Sequence, residues 1–216
     1  MRLVVGFDLD LTLVDSADGI IACFVEAGRQ VGSEIDPVEL RPLIGLPLPE
    51  TMEHFVPPES VPAAVRSYRE LYPRLGVPAS KLLPGAAEAV DAVNQKGGQV
   101  IVVSAKIEHA VRQVLEHVGL CVHDVIGERF AETKGDALRE HGAEIHVGDH
   151  PGDMIGARAA GACAVGVTTG SHDAVALREA GADVVFPDLL DFPYWLDDFV
   201  GQRTVDEEND EKIGRP

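Results

Sequence analysis

The sequence predicts an α/β fold: a doubly wound parallel sheet with a small α-helical domain inserted after the first strand. Two patterns predict it. Short apolar runs alternate with helix-length segments along most of the chain, and one proline-punctuated helical stretch interrupts that alternation. The first run, Leu3-Val4-Val5-Gly6-Phe7, has the composition of a strand buried on both faces. Similar runs stand at Val100 to Val103, Glu144 to Val147, Ala164 to Val167 and Asp183 to Phe186, with a weaker one around Val122 to Ile126. Helical patterns separate them at Ala86 to Lys96, Ile107 to Val118, Lys134 to His141, Asp153 to Ala160 and Ala174 to Ala180. Glycines such as Gly97, Gly119, Gly142, Gly161 and Gly181 follow these helices, as C-terminal caps do.

The interruption runs from Ser16 to Leu83. It reads as helices at Ala17 to Gln30, Pro37 to Leu43, Leu48 to Phe55 and Pro62 to Leu71, without a strand. Leu83-Pro84-Gly85 marks the return to alternation. The expected organisation is a core of residues 1–15 and 84–200 and a helical cap of residues 16–83. Asp206 to Glu211 is nearly all acidic, so residues 201–216 are expected to form a solvated, flexible tail.

Composition narrows the setting. No apolar run approaches the ~20 residues that span a bilayer, and acidic residues follow Met1 too soon for a secretory signal, so a cytoplasmic location is expected. The formal net charge of −18 opposes binding to nucleic acid and to anionic lipid. Cys23, Cys121 and Cys163 form no CxxC pair or disulfide framework and read as reduced core thiols. An acidic protein acting on an anionic substrate needs local positive charge, and a divalent metal is one source.

The first strand ends in Asp8-Leu9-Asp10-Leu11-Thr12. Side chains alternate along an extended segment, so Asp8 and Asp10 can share a face at the carboxyl edge of a parallel sheet, where α/β folds bind ligands. Two carboxylates this close need a cation, or one must hold a proton. An acidic turn after a strand remains the plainer reading of that pair alone. Further along, the Val100 to Val103 strand ends in Ser104, a helix begins at Lys134, and Ile145-His146-Val147 ends in Gly148-Asp149-His150-Pro151-Gly152-Asp153.

This ordered set of strand-end carboxylates, a hydroxyl and a lysine resembles the four motifs of the haloacid dehalogenase-like superfamily. Phe7 to Ser16 is similar to the opening signature of its phosphoglycolate phosphatase-like members, and the likeness continues through Ile44-Gly45-Leu46-Pro47, Leu83-Pro84-Gly85 and Gly148 to Ala160. The resemblance implies a magnesium-dependent phosphatase. Asp8 would attack phosphorus and form an acyl phosphate, while Asp10 would act as general acid and then base. Asp8, the Asp10 backbone carbonyl and Asp149 would hold Mg2+, supported by Asp153. Thr12, Ser104 and Lys134 would bind the phosphoryl oxygens. The expected partner is a small phosphorylated metabolite, phosphoglycolate by family likeness, taken by a monomer or homodimer.

Several positions depart from the family pattern. Leu11 replaces the usual glycine, Ala105 replaces an asparagine or glycine, and Gly135 replaces a proline after Lys134. Lys106 is therefore a rival for the lysine role, although Lys134 fits the third motif's order. Asp15 and Ser16 read as helix caps, and His150 as a surface-loop residue. Among the cap cations, Arg41 is the first candidate for a substrate contact because it precedes Ile44 to Pro47. A dehalogenase would not need Asp10. A phosphomutase, or a binding module retaining the fold, stays compatible with the motifs.

Overall fold

The structure is a computed structural model describing residues 2–213. Its strands are β1 (Val4–Phe7), β2 (Val14–Asp15), β3 (Lys81–Leu82), β4 (Gln99–Val103), β5 (Asp124–Ile126), β6 (Ile145–Gly148), β7 (Cys163–Val167) and β8 (Val184–Phe186). Among the described residues, six of them form one parallel sheet in the order β5-β4-β1-β6-β7-β8. β1 lies near the middle, with Val5 paired to Val100 on one side and Ile145 on the other. The apolar runs follow from this position, because helices cover both sheet faces. Val5, Phe7, Val100 and Val102 pack into the core that includes Val90, Val93 and Phe192. Val4, Ile101 and Val103 face the opposite way, onto Ala137 and Leu138.

The helices are α1 (Ala17–Gln30), α2 (Pro37–Leu40), α3 (Leu48–Glu53), α4 (Val61–Ala79), α5 (Ala86–Gln95), α6 (Glu108–Val118), α7 (Glu132–Glu140), α8 (Pro151–Ala160), α9 (Ala174–Glu179) and α10 (Phe192–Ile213). Three features differ from the sequence reading. Helix α4 does not end near Leu71 but continues through Pro73 and Pro78. A helix-interior proline costs about 3 kcal/mol; burial of Leu71, Tyr72, Gly76 and Val77 beyond the expected end offsets it. The helical insertion is also entered and left through short strands, β2 and β3, which pair antiparallel as Val14↔Leu82 and Asp15↔Lys81. Finally, a helix the sequence reading did not include, α10, starts within the expected core, where Phe192 and Leu196 are buried, and runs to Ile213. Residues 214–216 lie outside the described residues. No helix among the described residues is long and apolar enough to cross a membrane.

Candidate active site

The carboxyl ends of β1, β4 and β6 meet at the site. The Asp8 amide donates to the Val147 carbonyl at 2.8 Å, extending the β1–β6 pairing into the first acidic residue. The chain then turns sharply: the amides of Leu13 and Val14 both donate to the Leu9 carbonyl at 3.0 Å. Leu11 takes φ +59° in this turn, a region that disfavours side chains by about 1–2 kcal/mol. Its side chain is buried in the main core, and its carbonyl accepts from Thr169 Oγ1 at 2.5 Å. Burial of a leucine contributes about 1.5–3 kcal/mol, which exceeds the strain. Leu11→Gly should therefore relax the backbone yet lower stability by about 1 kcal/mol, read by urea unfolding; a more stable variant would show that strain dominates.

Asp8, Asp149 and Asp153 are buried, and each presents an oxygen within 4.8 Å of the others. Glycine is required beside them. A Cβ at Gly148 would lie 2.2 Å from Asp153 Cγ, and one at Gly170 would lie 1.8 Å from Asp149 Oδ2. Asp153, in the first turn of α8, accepts from the His150 amide at 3.1 Å and approaches His146 Nε2 at 3.2 Å. Lys134, buried on α7, spans the group: its Nζ donates to Asp8 Oδ1 at 2.6 Å and to Asp153 Oδ1 at 2.5 Å.

These contacts set the charges unequally. Burial raises Asp8 to about 7 against the pull of Lys134, and neighbouring Asp153 and Asp10 push the same way. Asp149 is raised well above the usual carboxylate range by burial and by Asp8 and Asp153. Burial also opposes ionisation of Asp153, but Lys134 and His146 outweigh it and hold that group below the ordinary range. Three buried carboxylates thus stand beside one ammonium that pairs with only two of them, an arrangement short of positive charge and rich in hard oxygen donors, which fits a divalent cation. Protons compete with metal for Asp8 and Asp149. Their raised values make the metal-free protein lose stability as pH climbs from about 4 towards 7. Added magnesium should consequently raise Tm more at pH 8 than at pH 5, measured by thermal unfolding; an equal shift at both would count against metal at these carboxylates.

Asp10 occupies a different position. Its Oδ1 accepts from Ser16 Oγ at 2.5 Å and from Lys106 Nζ at 3.0 Å, and Lys106 Nζ lies 2.8 Å from Oδ2. The same ammonium lies 4.4 Å from the Tyr72 ring centroid, a favourable cation–π geometry. Asp8, Asp10, Ser104 and Lys106 line one side of a cleft of about 540 Å³, whose other side comes from the helical insertion, including Ile44, Leu46, Tyr68 and Tyr72.

The sequence profile of haloacid dehalogenase-like hydrolases matches residues 5–167. This chain belongs to that family. It is 31% identical over 205 residues to the probable phosphatase IndB of Dickeya dadantii, covering 86% of this chain and 89% of that one. It is 28% identical over 210 residues to a phosphoglycolate phosphatase of Vibrio cholerae, covering 86% and 93%. The crystal structure of a predicted phosphatase from Clostridium acetobutylicum superposes with a TM-score of 0.80 at 23% identity, covering 92% of this chain and 99% of that chain.

Within this haloacid dehalogenase-like hydrolase, the motif residues divide into two groups. Asp8, Asp149, Asp153 and Lys134 meet, and Thr12 joins them by donating its hydroxyl to Asp149 Oδ1 at 2.9 Å. The Asp10 carboxylate, Ser104 and Lys106 face the cleft, and Ser104 Oγ accepts from the Lys106 amide at 3.3 Å. The two lysines thus serve different aspartates. Other expectations need correction. Ser16 makes no side-chain cap bond on α1 because its hydroxyl is engaged by Asp10, and Asp15 lies in β2. His150 is no free loop residue: it caps α8 through the Gly152 amide at 2.9 Å and packs between Phe130 and His172. Arg41 points away from the cleft to pair with Asp18 at 3.1 Å on the surface. Cys23 is buried and Cys163 half-buried, but Cys121 is exposed. The cleft-lining Tyr68 and Tyr72 escaped the sequence reading; their i,i+4 spacing was the available signal.

Proposed function

We propose that this chain is a magnesium-dependent phosphatase that hydrolyses a small phosphomonoester through an aspartyl phosphate on Asp8, with residues 16–83 acting as the cap over the site. Support comes chiefly from one observation: Asp8 stands in the buried acidic group beside Lys134 while Asp10, two residues on, faces the adjoining cleft. Magnesium, when bound by Asp8, Asp149 and Asp153 with the Asp10 carbonyl, would offset carboxylate and phosphoryl charge so that the anions can approach.

In the first step an Asp8 oxygen attacks phosphorus, the ester P–O bond breaks, and Asp10 gives its proton to the departing alkoxide. In the second, Asp10 takes a proton from water as that water attacks phosphorus. The P–O bond to Asp8 then breaks, releasing inorganic phosphate and regenerating the carboxylate. Ser16 and Lys106 orient Asp10 for both transfers. Lys134 holds Asp8 and offers positive charge to the phosphoryl oxygens, assisted by the Ser104 and Thr12 hydroxyls.

Phosphatases among the relatives agree with this reaction, and phosphoglycolate is the substrate named for the Vibrio cholerae relative. A cytoplasmic setting accompanies the reading. The test is phosphate release from para-nitrophenyl phosphate with magnesium and then with EDTA. Turnover that needs the metal supports the assignment; undiminished turnover in EDTA would remove magnesium from it. Transfer of phosphate between positions of a sugar phosphate, without release, would instead identify a mutase.

A further inference from the structure

The cleft beside Asp8 and Asp10 has a wall chemistry that speaks to the part of the substrate not consumed in the reaction. Phe24 meets Tyr68 edge-on with ring centroids 4.9 Å apart, and Tyr68 stacks on Tyr72 at 5.6 Å. All three rings are buried and line the cleft, together with Ile44, Leu46 and Leu48 from the opposite part of the insertion. A volume of about 540 Å³ lies within the range of pockets that hold ring-sized ligands, and a two-carbon acid would leave most of it empty.

Charge follows the same division. Lys106, a half-buried lining cation next to Asp10, is committed to that carboxylate at 2.8 Å. Arg69 and Glu128 pair with each other at 3.3 Å on the exposed rim, where Glu50, His109 and Arg129 also lie. Arg41, a cation that could have met a substrate carboxylate, is paired with Asp18 outside the cleft. A carboxylate carried deep into this cleft would therefore lose its water without gaining a cation, and buried unpaired charge is unfavourable. A neutral apolar or aromatic body would bury surface against the rings and aliphatic side chains.

We infer that the substrate is a phosphomonoester of a neutral alcohol bearing an apolar, ring-sized body, not an ester of a small hydroxy acid. The inference rests on the phosphatase reading above. Leaving-group reactivity must be held constant, so the comparison uses esters of primary alcohols. With the full chain and magnesium, 2-phenylethyl phosphate should be hydrolysed with a kcat/KM at least about tenfold above those of ethyl phosphate and phosphoglycolate. Leu46→Arg, which places a cation in the apolar wall, should shift the ratio of phenylethyl phosphate to phosphoglycolate by at least about tenfold towards the acid, with circular dichroism confirming the fold. Wild-type preference for phosphoglycolate or ethyl phosphate would overturn the inference while leaving the phosphatase reading intact. Should no ester be hydrolysed, the phosphatase reading fails, and calorimetry with phosphonates still decides selectivity. Tighter binding of 3-phenylpropylphosphonate than of 3-phosphonopropionate supports the apolar cleft, and the reverse order overturns it.

Discussion

Asp8→Asn should lower phosphatase turnover by about 10⁴-fold or more, the scale of loss when a covalent nucleophile is removed, without unfolding the protein. Asparagine keeps the side-chain volume and can still accept from Lys134 through its amide oxygen. It also removes one of three mutually repelling carboxylates. Burial raises Asp8 to about 7, so its ionised form is costly in the metal-free protein above that pH and nearly free of cost when protonated below it. The metal-free variant should therefore melt at the same or a higher temperature than the parent at pH 8, with the advantage shrinking towards pH 5. Turnover and melting together separate a chemical role from a structural one. Activity surviving in the variant, with contamination excluded, would sink the aspartyl phosphate; a large fall in Tm would show that Asp8 mainly holds the fold.

Lys134→Met should be the most destabilising single change at the site. Methionine keeps most of the stem but leaves Asp8 and Asp153 facing each other without their shared ammonium. Removing one partner of a buried pair typically costs about 3–5 kcal/mol, because the remaining charge is stranded. Burial opposes the charge of Lys134, yet Asp153 and Asp8 hold its pKa well above the ordinary lysine value, which marks how strongly the cluster needs that proton. Urea unfolding at pH 8 without metal measures the loss, and magnesium should restore part of it by supplying charge at the same carboxylates. A loss below about 1 kcal/mol would mean that the carboxylates already share a proton and that Lys134 matters less than its contacts suggest.

The parallel sheet was legible because a strand covered on both faces must be apolar throughout, as Val4 to Phe7 and Val100 to Val103 are. Asp8 and Asp149 stood out for the complementary reason: each is the first charge after such a run. What stayed hidden depended on partners distant in sequence. Ser16 has the local context of a helix cap, but Asp10 offers its hydroxyl a charged acceptor, and the tertiary bond prevails. Arg41 neighbours a family landmark, yet it pairs with Asp18, a residue 23 positions earlier that local sequence does not place beside it. Proline rules stopped α4 too early because they count the lost amide bond and not the burial of Tyr72 and Val77 beyond it. The aromatic wall was invisible for a related reason: Phe24 and Tyr68 belong to different helices, and only their packing makes one surface of them.

The pairing of β2 with β3 has a consequence for how the insertion joins the sheet. Val14↔Leu82 and Asp15↔Lys81 bring the two ends of the insertion to about 5 Å, one strand spacing, apart. To the sheet, the whole helical segment is thus a detour that leaves and returns through one doorway. The strands that lead into Asp8 and Asp149, and the helix that carries Lys134, all lie outside this detour. Ser16 at its entrance and Tyr72 within it still reach back to Asp10 and Lys106, so the detour is tied to the sheet at the site as well as at the doorway.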